Sequence, residues 1–169
     1  MGSAPRRIRF RNWREFHRDY LLEFAALDRM GRSRLLFRGH SDRGWALSPT
    51  LDRLRPVGFA GDQERKEHYE FLLAEFRREA IRFVSPPLEL PVGEAFELLA
   101  RHHGVPSPII DWTESPYVAA FFAYDQPLSE ASGHHVAIWV LDRTALDEEK
   151  AQVRLIDDPD LLRVNPRAL

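Results

Sequence analysis

Apolar residues recur at helical spacing over Trp13, Phe16, Tyr20, Phe24 and Leu27, and Asn12 with Glu15 three residues on has the form of a capping box. Gly31 then stands where a helix C′ residue belongs. Leu35-Leu36-Phe37 is a short unbroken apolar run and predicts a buried strand ending at Arg38-Gly39. Residues 40–61, with Gly44, Pro49, Pro56, Gly58 and Gly61, read as irregular. A second helix starts near Asp62, with Tyr69, Leu72, Leu73, Phe76, Ala80 and Phe83 on one face, and Ser85-Pro86-Pro87 stops it. A third runs from about Val92 to His103 and stops at Gly104. Residues 107–112 read as a short strand. Ser115-Pro116 places an N-cap before a proline and opens an apolar helix over Tyr117–Tyr124. Val136 to Leu141 is apolar throughout and predicts a central strand. Thr144 caps a short helical turn, and Val153–Ile156 is a weak final strand.

Helices fill the N-terminal two-thirds and strands are scattered, so the predicted class is α+β, helices packed on a small mixed sheet in a single domain over residues 1–169. Composition agrees. The chain has 169 residues, 44% hydrophobic and 30% charged, which is enough apolar mass for one buried core and too much for disorder. No apolar run reaches the roughly 18–20 residues of a membrane span, and Met1 to Arg11 has no apolar signal core. A cytoplasmic protein with no membrane partner is expected. The absence of cysteine excludes disulfides, thiolate metal sites and a thiol nucleophile.

The net charge of −2 hides an asymmetry: residues 1–55 hold 13 Arg against 6 acids, the remainder 11 basic residues against 20 acids. Only Lys66 and Lys150 are lysines. Lineage bias explains an arginine excess simply; a basic N-terminal surface meeting phosphates is the sharper alternative. The overall charge does not indicate nucleic acid as a partner.

Two segments concentrate chemistry. The first is Phe37-Arg38-Gly39-His40-Ser41-Asp42, followed by Trp45 and Leu47-Ser48-Pro49. An arginine at the end of an apolar strand needs an anionic ligand, a carbonyl or a carboxylate such as that of Asp111. The second runs from His102-His103-Gly104 through Asp111-Trp112-Thr113 to Ser115-Pro116, joining an acceptor, a stacking surface and a hydroxyl at a strand end. Asp111 or Thr113 capping the next helix, with Trp112 in the core, is the structural alternative. Hydrolysis through His40, His102, His103 and Asp111 is a third; no H-E-x-x-H spacing supports its metal-assisted form, and no metal is expected.

Phe37-Arg38-Gly39, with Trp45 and the Leu-Ser-Pro that follows, resembles the signature of the FRG domain family. His102-x-Gly104-x-Pro106-Ser107, Ile109-Ile110-Asp111-Trp112-Thr113 and Ser115-Pro116-x-Val118-Ala119 resemble its second half, and the likeness spans about residues 8–142. The resemblance implies a bacterial or phage protein. Pro108 stands where the family carries an arginine. The chain ends at Asn165-Pro166-Arg167, about where a further family segment would start.

The order of these motifs is also similar to that of ADP-ribosyltransferases, which implies a fold of that kind and NAD or a related nucleotide as ligand. On that resemblance Arg38 grips the NAD pyrophosphate, with Gly39, His40, His102, Asp111, Trp112 and Thr113 around the nucleotide. Thr113 braces the strand lining the nicotinamide pocket. The catalytic carboxylate, Glu148 or Glu149, would bond a ribose hydroxyl and stabilise the charge that develops as nicotinamide leaves. Gln152, at the start of the last strand, is a departure from that pattern. The competing expectation is a non-catalytic module, in which Arg38 and Asp111 belong to a buried polar network that specifies the fold.

Overall fold

A computed structural model of the chain describes residues 6–21, 34–54, 58–83, 90–125, 135–143 and 146. These residues fall into two compact units: 6–46 with 111–146, and 47–110.

In the first unit, strand β1 (Leu35–His40) pairs antiparallel with β2 (Ala137–Asp142), Leu35 opposite Asp142 and His40 opposite Ala137. Leu35, Leu36 and Phe37 are buried, as an unbroken apolar run requires. The other edge of β1 is also bonded. The Phe37 amide donates to the Thr113 carbonyl at 2.7 Å, and the Thr113 amide returns a bond to the Phe37 carbonyl at 2.9 Å. β1 is therefore the strand with neighbours on both sides, whereas β2, expected to be central, pairs with β1 alone among the described residues.

Two boundaries need correction. β1 does not stop at Arg38-Gly39 but continues through both to His40. Gly39 does not end the strand; it admits a helix. Residues 107–112 do not form the expected strand: pairing is confined to the single bridge at Thr113. Pro108 removes one of the amide donors a ladder there would use.

Helix α1 (Trp13–Phe16) starts where the capping box predicts, with Asn12 Oδ1 accepting from the Glu15 amide at 3.0 Å. It runs into a π-helical turn, His17–Leu21; the predicted continuation through Phe24 and Leu27 lies outside the described residues. Phe16 joins Leu35, Phe37 and Ala119 in a buried cluster, flanked by Phe10, Trp13, Tyr20, Ile138 and Val140. Ala119 belongs to the helix Pro116–Tyr124, whose predicted cap is present: Ser115 Oγ accepts from the Val118 amide at 3.3 Å.

The second unit holds α2 (Thr50–Arg53), α3 (Asp62–Phe83) and α4 (Glu94–His102), which makes the Pro116–Tyr124 helix α5. α2 is one turn inside a stretch expected to be irregular. Both long helices match their predicted ranges within two residues. Gly104, at φ 87°, ends α4 as its pattern requires. Rings of Phe76 and Phe96 meet at 5.6 Å, the Arg77 guanidinium lies 3.9 Å above Phe96, and the Tyr69 hydroxyl donates to Glu97 Oε2 at 3.2 Å. Ser107 is fully buried and ties α2 down: its carbonyl accepts from the Leu51 amide, and its amide donates to Thr50 Oγ1.

Helices and a small antiparallel sheet confirm the α+β class. Among the described residues no helix is long and apolar enough to cross a membrane. Ser85-Pro86-Pro87, Thr144 and Val153–Ile156 lie outside the described residues.

Candidate functional site

Strand alternation divides the signature between two jobs. Successive side chains of β1 point to opposite faces, so Phe37 and Gly39 share one and Arg38 and His40 the other. On the first face α5 crosses with two of its three alanines, Ala119 and Ala123, both wholly buried. A Cβ at Gly39 would stand 1.9 Å from the Ala119 carbonyl oxygen and 2.7 Å from the Ala123 nitrogen. Only glycine fits there, and this close approach explains the glycine of the signature.

On the second face Arg38 is half-buried and held at two points. Nη1 donates to the Asp111 carbonyl at 2.8 Å, and Nε donates toward His40 Nε2 at 3.2 Å. Asp111 thus reaches Arg38 through its backbone carbonyl, one of the partner types expected for an arginine at that strand end; the residue as a whole is exposed.

His40 is buried, with Trp139 Nε1 donating to Nδ1 at 3.2 Å. Arginine Nε–H and indole N–H are donors only, while a neutral imidazole offers one bare nitrogen. The ring's tautomer therefore decides which of these two contacts is a hydrogen bond. The His40 ring also meets Trp45 at 6.1 Å and Trp139 at 6.2 Å, both edge to face. Trp45 is 52% exposed on a tight turn, where Asp42 Oδ1 accepts from the Gly44 amide at 2.7 Å and the Asp42 carbonyl accepts from the Trp45 amide.

Thr113 braces the neighbouring segment twice, through its backbone bridge to Phe37 and through Oγ1, which accepts from the Ser115 amide at 3.1 Å. Ser115, and neither Asp111 nor Thr113, caps α5. Trp112, between them, is half-buried.

The structure thus brings Arg38, His40 and Asp111 together, with Gly39 and Thr113 fixing the backbone that holds them. His102 lies in the second unit, where its ring meets His103 edge-on at 5.6 Å while His103 stacks on Phe76 at 5.7 Å. Glu148, Glu149 and Gln152 lie outside the described residues. Trp139 is the site residue that sequence reasoning missed. It reads as one more apolar position of a strand; only the register, which sets it opposite Arg38, shows its part. Among the described residues no three metal-ligating side chains converge. The far end of the β1–β2 ladder is closed by an ion pair between Arg34 and Asp142, which raises the Arg34 guanidinium above its ordinary range.

The family model described as FRG domain matches residues 33–132. That span includes β1 and α5 and stops before β2, so it is shorter than the 8–142 suggested by the signature. No curated protein and no solved structure matches the chain.

Proposed function

Since the chain belongs to the FRG domain family and Arg38, His40 and Asp111 meet at one strand end, we propose that this site binds NAD or a related nucleotide in the manner of an ADP-ribosyltransferase. One observation carries the proposal: a guanidinium oriented by the Asp111 carbonyl and the His40 ring, with the exposed Trp45 packed on the same imidazole. A planar cation fixed in this way suits a diphosphate, and an exposed aromatic face suits a base. Arg38 would hold the pyrophosphate, Trp45 or Trp112 would stack, and Asp111 and Thr113 would line the site. NAD would supply an activated ADP-ribosyl group with nicotinamide as the leaving group. Glu148 and Glu149 are the proposed carboxylates for transfer.

Isothermal titration of NAD into the protein tests this reading. Binding heat that disappears in Arg38→Ala, with the melting temperature little changed, supports it; no heat at millimolar NAD, or the same heat in the variant, overturns it.

A second reading has its own observation. Arg38 bonds inside the unit, and Gly39 is wedged against α5, as expected of a non-catalytic module whose signature specifies the fold. Under that reading Arg38→Ala lowers the melting temperature strongly and no nucleotide binds.

A further inference from the structure

The first unit carries a second surface, made of other residues. Residues 6–21 contain six arginines, at positions 6, 7, 9, 11, 14 and 18, against two acids, Glu15 and Asp19. All six arginines are exposed. Both acids are engaged locally: Glu15 Oε2 accepts from the Arg11 amide at 2.6 Å, and Asp19 is paired with Arg18. The segment therefore presents concentrated positive charge, all of it as planar guanidinium forks.

α5 presents the complementary feature. Tyr117, Phe121 and Tyr124 stand at positions i, i+4 and i+7, on one face, and are 57%, 60% and 54% exposed. Phe122, also exposed, meets Phe121 edge to face at 5.5 Å. The opposite face is the one closed against Gly39, so these rings are not needed to pack the helix on β1. The stripe begins inside the arginine segment: Tyr117 Oη bonds His17 Nε2 at 2.9 Å, and its ring lies 5.6 Å from that of Trp13.

We propose that the arginines of residues 6–14 and the aromatic stripe of α5 form a binding surface for single-stranded nucleic acid. Phosphates pair with the guanidinium forks and bases stack on exposed rings, the combination such platforms use. The ring stripe favours this partner over an anionic membrane. A lipid surface rewards aliphatic bulk, yet the exposed large residues of α5 other than Val118 are flat rings. The net charge of −2 conceals the surface because the acids lie elsewhere in the chain.

Fluorescence anisotropy tests the proposal, using labelled oligo-U, oligo-dT and a duplex of equal length, with phosphatidylserine vesicles as competitor. The expected result is binding of a single strand in preference to duplex, weakening steeply with salt. The triple variant Arg7→Gln, Arg9→Gln, Arg11→Gln weakens it about tenfold or more, and Phe121→Ala about fivefold or more, both with unchanged melting temperature. Whichever single strand binds more tightly identifies RNA or DNA. The proposal is overturned by no binding at low salt, by equal duplex binding that Phe121→Ala leaves untouched, or by oligonucleotide displaced by vesicles at matched charge.

Discussion

Gly39 and Ala119 approach so closely that one added carbon at Gly39 would overlap the Ala119 carbonyl. The obstacle is backbone at both nearest points, so no side-chain rotation relieves it. Gly39→Ala must therefore push α5 away from β1. We expect a loss of about 3 kcal/mol, the upper end of ordinary overpacking, read as the shift in urea midpoint. Gly61→Ala is the control: nothing lies within 4 Å of its added Cβ, and it should change stability by less than about 0.5 kcal/mol.

Thr50 and Ser107 exchange two hydrogen bonds, Thr50 Oγ1 donating to the Ser107 carbonyl at 3.2 Å and the Ser107 amide donating to Oγ1 at 3.0 Å. Ser107 is wholly buried, so water cannot replace the hydroxyl. Thr50→Val should cost about 1–3 kcal/mol in a denaturant melt, the usual penalty for orphaning a buried donor. Thr50→Ser, which keeps the oxygen, should lose distinctly less.

The fold was legible where its physics is local. The apolar stripe from Tyr69 to Phe83 placed α3, and the Ser115-Pro116 pair placed the start of α5. It was illegible where a residue serves a distant neighbour. Gly39 looked like a strand terminator because its reason, the Ala119 backbone, lies 80 residues on. Apolar Ile109-Ile110 suggested a strand at 107–112, yet the segment is anchored by Ser107 instead. At the site, sequence left Arg38 a choice of ligand, carbonyl or carboxylate, and only the fold shows the Asp111 carbonyl within its reach. Neither the Trp139–His40 contact nor the His17–Tyr117 bond could be foreseen without the register and the crossing of α5.

Tyr69 sets an alkaline limit on the second unit. Burial first, and then the charge and hydrogen bond of Glu97, raise its phenol above the ordinary value. The folded state thus holds the proton more tightly than the unfolded chain. This contribution is complete below the unfolded value of about 10 and is lost as pH rises above it toward the folded value. Stability measured by denaturant between neutral pH and pH 11 should fall at the alkaline end, and Tyr69→Phe should flatten that fall. The same variant should be less stable at neutral pH by about 0.5–1.5 kcal/mol, the usual net value of one hydrogen bond.

Nucleotide binding beside Arg38 is the central claim, and the four tryptophans make it directly observable. Each indole N–H gives its own signal in a proton–nitrogen correlation spectrum. Trp45 and Trp139 both touch His40, which meets Arg38, whereas Trp13 packs on Phe16 and Tyr117. On titration with NAD, the Trp45 and Trp139 signals should move together and saturate while Trp13 stays in place. Signals that do not move at millimolar NAD, or a Trp13 shift as large as the others, would contradict the account.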